Sequence, residues 1–148
     1  IFKYINILKN KKLQLSRAED SQYLSTKGFT YEIHRVLLFT SIQMDITPVG
    51  DDLHVLLTCG GENRLGCTAF FTPVTDTDPV ECETSVITDV DNPEDLFCPY
   101  IAESLCKKTG QRVLCTGGIF VENPDEHQID KLYENVDEMI MDWVHFLD

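Results

Sequence analysis

The sequence predicts an α+β fold, a mainly antiparallel β-sheet of about five or six strands with two packed helices, the long one C-terminal. Three observations carry this. Stretches rich in β-branched and aromatic residues, separated by Gly, Pro and Asn turn signals, fill the first two thirds of the chain, so strands come first. Helical spacing of apolar residues appears only afterwards. At 148 residues with 43% apolar content, the chain can bury one ordinary core and has little room for a second.

The elements follow in order. After Gly28, "FTYEIHRVLLFTSIQMDIT" reads as one long strand or a bent pair, ending at a Pro48 to Asp52 turn. "LHVLLTC" is the next strand. Gly60-Gly61-Glu62-Asn63 is a turn that tolerates positive φ, and "LGCTAFFT" is expected to return as its antiparallel hairpin partner. "VTDTDPVEC" is an acidic loop, and "CETSVITDV" alternates enough to form a further strand, closed by Asn92-Pro93. "NPEDL" reads as a separate turn. From Phe97 to Lys108, Phe97, Ile101 and Leu105 recur every fourth residue, with Lys107 and Lys108 in the last turn and Gly110 just beyond. That pattern is a short amphipathic helix with Pro99 confined to its first turn.

"QRVLCTGG" is a strand ended by Gly117-Gly118. Asn123 then offers an N-cap, Pro124 the first helical position and Glu126 the reciprocal N3 carboxylate. Ile129, Leu132, Tyr133, Val136, Met139, Ile140, Trp143, Val144 and Leu147 follow on one face of a 3.6-residue period, opposite Asp130, Glu134, Asp137, Glu138 and Asp142. The C-terminal helix therefore presents an acidic surface.

The formal charge of −13 is unevenly spread. Residues 1–17 carry five basic and no acidic side chains, leaving seven basic against twenty-five acidic in the remainder. We read residues 1–27 as a basic leader or arm and residues 28–148 as a single domain, which with six basic against twenty-three acidic side chains carries a net charge of −17. Weakly amphipathic or targeting-like roles for the leader stay open. So negative a domain repels phosphate backbones and anionic lipid, so nucleic acid and membrane are not the expected partners. No run reaches the roughly 18 to 20 apolar residues of a bilayer span, and "IFKYINILKNKKLQ" lacks the apolar core and cleavage site of a signal peptide. A soluble cytoplasmic or nuclear protein is expected. The six cysteines, Cys59, Cys67, Cys82, Cys98, Cys106 and Cys115, sit mostly among apolar neighbours and read as free packing thiols.

Catalytic motifs do not hold together. Ser104-x-x-Lys107 and Lys108-Thr109-Gly110 overlap within seven residues and cannot face one another across a pocket, as a penicillin-recognising enzyme requires. A basic helix end with a Gly C-cap accounts for them. Neither the cysteines nor His34, His54, His127 and His145 show metal-ligand spacing, and the zinc-deaminase pattern is missing. Cys106 neighbours two lysines, but at a helix C-terminus, where the dipole disfavours a thiolate. Gly117-Gly118 lacks the spacing of a phosphate loop, and Glu122 follows it. No catalytic residue, metal or cofactor is expected, and attention turns to extended surfaces: sheet edges and an acidic helix.

Three stretches carry a family resemblance: "QMDITPVGDDLHVLL", "IAESLCKKTGQRVLC" and "VENPDEHQIDKLYENVDEMIMDWVHF". Together, from about Ile42 to Phe146, the chain resembles the proteasome assembly chaperone 4 family. The resemblance implies a non-enzymatic chaperone that heterodimerises with a proteasome assembly chaperone 3-like subunit. It also implies binding to α-type proteasome subunits to promote assembly of the 20S α-ring. On this reading the last helix packs its stripe on its own sheet, and a sheet edge or exposed helix meets the paired chaperone. Glu134, Asp137, Glu138 and Asp142 would steer a basic partner surface. Lys107, Lys108 and Arg112, rare cations on an acidic domain, complete the candidate partner-binding set. Two alternatives remain: a trafficking adaptor of similar mixed fold, and a small enzyme using Cys59, Cys106 or Cys115.

Overall fold

The computed structural model describes residues 29–61, 64–88 and 97–147. The predicted leader, the "NPEDL" turn and Glu62-Asn63 lie outside the described residues. The predicted α+β architecture is present: strands β1 (Tyr31–Val36), β2 (Ser41–Val49), β3 (Asp52–Cys59), β4 (Cys67–Pro73) and β5 (Cys82–Thr88), helix α1 (Phe97–Thr109), strand β6 (Val113–Gly117) and helix α2 (Glu126–Leu147). The long first segment is the bent pair, β1 and β2, broken at residues 37–40.

The six strands form one sheet in the order β1-β2-β3-β6-β4-β5. The expected β3–β4 hairpin is not formed. β6 enters between these two strands, parallel to β3 with Leu53 opposite Val113, and antiparallel to β4 with Phe71 opposite Val113. All other neighbours are antiparallel. The insertion is possible because β6 is apolar on its core side and gives β3 and β4 each a ladder of backbone hydrogen bonds. A direct hairpin would give them only one ladder between them.

Alternation places Ile42, Met44 and Ile46 of β2, Leu53, Val55, Leu57 and Cys59 of β3, Cys67, Ala69 and Phe71 of β4, and Val113 and Cys115 of β6 on one face. Both helices cover that face. Ile101, Leu105 and Cys106 of α1 and Leu132, Val136, Met139, Ile140 and Trp143 of α2 join these strand residues in a single buried cluster. The predicted stripe of α2 thus packs along its middle, while Ile129 and Leu147 at its ends are exposed.

The start of α2 differs from the expected cap. Asn123 has φ 45°, the left-handed region, which is unlike the extended backbone of an N-cap. Asp125 takes the role instead: its carboxylate accepts the Gln128 N–H at 2.8 Å, and Gln128 Oε1 accepts the Asp125 N–H at 3.0 Å. This is a reciprocal capping box two residues later. α1 closes as expected. Gly110, at φ 68°, donates its N–H to the Cys106 carbonyl at 2.8 Å, an αL cap that no side chain with a Cβ adopts easily.

Candidate functional site

The seven predicted partner-binding residues do not gather into one surface. Lys107 and Lys108 are exposed on the last turn of α1, and Arg112 sits at the entry to β6. Glu134, Asp137, Glu138 and Asp142 run along α2. Most are engaged within the fold. Lys107 Nζ bonds Glu103 Oε1 at 2.6 Å, and that hydrogen bond and charge raise the ammonium pKa. Arg112 meets the Asp52 carboxylate with Nε and Nη2, each at 3.1 Å. Lys131 pairs with Glu134 at 2.9 Å. The Tyr100 hydroxyl donates to Asp137 at 2.6 Å, which, with partial burial, pushes the phenol up to about 12. Asp142 forms an ion pair with Arg35 of β1 and ties the end of α2 to the sheet edge.

The larger feature is the other side of the sheet. Among the described residues no helix lies on it, and its side chains are half-buried or exposed. Part of it is polar: Gln43 donates to Asp45 at 3.0 Å, His54 shares a 3.3 Å hydrogen bond with Thr116, and the Thr30 and Thr47 hydroxyls lie 2.8 Å apart. The other part is an apolar band. Phe70 of β4 stands opposite Leu114 of β6. Leu56 of β3 stands opposite Thr116 and so diagonal to Leu114, and Ile87 of β5 stands opposite Thr68 and so diagonal to Phe70. Phe70 is 38% exposed and Ile87 73%. The band therefore crosses four adjacent strands, from the sheet centre to the β5 edge.

Sequence reasoning named sheet edges and missed this face, although a signal was there. In a strand covered on one side the outward positions should be polar. Instead Leu56-Leu57, Phe70-Phe71, Val86-Ile87 and Val113-Leu114 are apolar doublets that break the alternation, one doublet in each of the four strands.

A cleft opens at one end of the sheet, about 600 Å³ in volume, between Phe39-Thr40, Gly60-Gly61, residues 119–122 and the first turns of α2. Its floor is fixed by Cys59, whose Sγ accepts the Phe120 N–H at 3.4 Å and lies 3.6 Å from the Phe120 carbonyl oxygen. At the rim the Arg64 guanidinium stands 4.3 Å from the centroid of the Phe120 ring. Phe39, Phe97, Ile119 and Leu132 supply apolar surface, and Thr40, Arg64 and Glu122 are among its polar groups, so the lining is mixed.

The prenylated flavin chaperone LpdD-like domain matches residues 39–148, which span β2 to the end of α2. The chain belongs to this family. The LpdD-like domain is thus the unit containing both the open sheet face and the cleft, and the expected chaperone-type family is met at that level. The same fold occurs in a chain from a crystal structure of a novel chaperone complex for yeast 20S proteasome assembly. That chain shares 12% identity with this LpdD-like domain protein over 81% of its length and 98% of the yeast chain, with a TM-score of 0.50. No match is found among curated proteins. No described helix is long and apolar enough to cross a membrane, and no described group of three or more His, Cys, Asp or Glu is placed to hold a metal ion.

Proposed function

We propose that this LpdD-like domain is a non-enzymatic assembly chaperone that pairs through its open sheet face with a second chaperone subunit of the same fold. The observation that carries this reading is the apolar band Leu56-Leu114-Phe70-Ile87 on an uncovered sheet face. Covering such a band removes apolar surface from water without disturbing the packed face, and two sheets meeting face to face make a sandwich core of ordinary thickness. The finer reading, supported by the resemblance and the yeast fold neighbour, makes the partner a proteasome assembly chaperone 3-like subunit. The pair would then bind α-type proteasome subunits during assembly of the 20S α-ring. The acidic side chains of α2, on the opposite side of the molecule, are left to steer a basic client.

The thiols required by an enzymatic alternative are poorly suited to it. Cys59 and Cys115 are buried, and burial together with a hydrogen bond to Cys82 pushes Cys106 up to about 12, far from a thiolate at neutral pH.

The test is a pull-down from a native lysate with the full chain and with Leu114→Asp. Recovery of a small paired chaperone and α-type subunits by the full chain, and their loss with the variant, is the expected result. Equal recovery by both removes the open face from the reading. For the client, the association rate should fall several-fold between about 50 and 500 mM salt.

The cleft favours a second reading, a flavin-class ligand. Its volume is in the range of small-molecule sites, Phe39 and Phe120 offer apolar ring surfaces, and Arg64 is the cation that a ligand phosphate would meet. The lining therefore fits a flavin nucleotide, which would supply redox or electrophilic chemistry to an enzyme that receives it. This chain would bind and orient it and shield it from water. Titration with flavin mononucleotide, read by flavin fluorescence, should saturate for the full chain and weaken about tenfold for Arg64→Ala.

A further inference from the structure

We propose that Cys82 and Cys106 form a thiol–disulfide exchange site, oxidised by a low-molecular-weight disulfide to a bond that fastens the edge strand β5 to helix α1. Their sulfurs are 2.8 Å apart, with the Cys82 thiol donating to Cys106, although the residues are separated by 24 positions in the chain. A disulfide requires about 2.05 Å between sulfurs, so closing the bond takes a movement of about 0.8 Å, within the reach of side-chain rotation. The pair is also isolated from metal chemistry, since no described cluster supplies the third ligand that a thiolate metal site would use.

The two thiols have different access, which orders the reaction. Cys82 is half-buried at the first position of β5, whereas Cys106 is buried in α1. Cys82 loses its proton to solvent, and its thiolate attacks one sulfur of a glutathione-type disulfide RSSR. The Cys82–SR bond forms and RS⁻ leaves to take up a proton. Cys106 then loses its proton, and its thiolate attacks Cys82 Sγ and expels the second RS⁻. The balance is two protein thiols plus RSSR giving one protein disulfide plus two RSH, so the small disulfide is the oxidant. Burial, which raises Cys106, makes the second step the slower one. Proximity compensates, because the attacking sulfur is already in contact.

The bond has something to hold. Among the described residues β5 is the sheet edge and pairs only with β4, its residues after Cys82 are all exposed, and α1 lies mainly over β4 and β6. A covalent link from β5 to α1 therefore restrains the least covered strand, the one that also carries Ile87.

The full chain is incubated with millimolar oxidised glutathione, digested without reduction and mapped by mass spectrometry. A linked peptide joining Cys82 to Cys106, lighter by two hydrogens than its two parts, is the expected product. The thermal midpoint should rise by about 5–10 °C and return on treatment with dithiothreitol. In Cys106→Ser the glutathione adduct at Cys82 should persist unresolved. A lasting adduct at Cys82 in the unsubstituted chain, a linkage among other cysteines, or no reaction at Cys82 each overturns the proposal, and none of these readings requires a variant to fold.

Discussion

The two faces of the sheet are made by the same strands, and the period of two gives each an equal number of side chains. On the covered face Ile33, Ile42, Met44, Ile46, Val55 and Leu57 have no exposed surface. On the open face Gln43, Asp45, Thr47, His54 and Thr116 alternate with them, and apolar residues appear in the band toward β5 and, apart from it, as Val36 and Val49 at the ends of β1 and β2. The covered face is largely apolar because it has to exclude water to hold the helices, and its charged Arg35 is paired with Asp142 of α2. The open face is apolar only locally, where a second surface would seat. One face thus determines whether the chain folds, and the other is the face proposed to bind a partner.

The largest effect should come from Gly117, because it belongs to both faces through the β3–β6 ladder. With φ 108° and an added Cβ only 2.0 Å from the Leu57 carbonyl oxygen, Gly117→Ala sets a side chain against backbone that cannot yield. A loss of roughly 3 kcal/mol or more is expected in urea denaturation, since strained backbone and a hard clash add. Both faces would go together.

A matched pair of leucines separates the two faces. Leu57 and Leu114 lie on neighbouring strands of the same sheet, on opposite faces. Leu57→Ala should cost about 2–5 kcal/mol, as buried leucine truncations do. Leu114→Ala should cost about 1 kcal/mol or less in the isolated chain while weakening partner binding about tenfold or more. Equal denaturation midpoints for the two variants would mean that the open face is packed as well.

Local signals carried most of the fold, and non-local ones did not. Helix α1 with its lysines and Gly110 cap, the α2 stripe and each strand were readable because their periods lie within a few residues. The β3–β4 hairpin was misread because the Gly60-Gly61 turn is a local signal, while β6 comes from more than forty residues farther on and leaves no mark near the turn. The α2 cap was misplaced because Asn123-x-x-Glu126 and Asp125-x-x-Gln128 are equivalent patterns, and only the backbone at Asn123 separates them. Arg112, Asp137 and Asp142 could be read as charged but not as already bonded, because their partners Asp52, Tyr100 and Arg35 are remote in sequence. Only Lys107 and Lys131 meet their partners at helical spacing.

A smaller effect is expected at the rim of the covered face. Trp143 is buried against Tyr31 and Phe146, with ring centroids at 5.3 and 6.0 Å, and among the described residues its indole N–H has no hydrogen-bond partner. Trp143→Phe removes that unsatisfied donor, a gain of about 1–3 kcal/mol, but also removes packed volume of comparable worth. The two should cancel to within about 1 kcal/mol, whereas Trp143→Ala, which removes the same donor but far more packed volume, should cost about 3–5 kcal/mol.

The smallest effect lies outside both faces, where α1 and α2 meet at the surface. Tyr100 is raised to about 12 by its hydrogen bond to Asp137, then by burial and the Asp137 charge. A raised folded-state value means that the bond's contribution is fully present below the unfolded phenol value near 10 and is lost as pH rises through 12. Ultraviolet titration should therefore show Tyr100 ionising late, alongside Tyr31, which burial also raises, and Asp137→Asn should bring Tyr100 back toward 10. The same variant should change stability at neutral pH by only a few tenths of a kcal/mol, as exposed polar pairs do, and should leave equilibrium affinity for the paired chaperone unaltered. A loss of that affinity comparable to the Leu114→Ala loss would move the binding surface from the sheet to the helices, and with it the division of labour between the two faces.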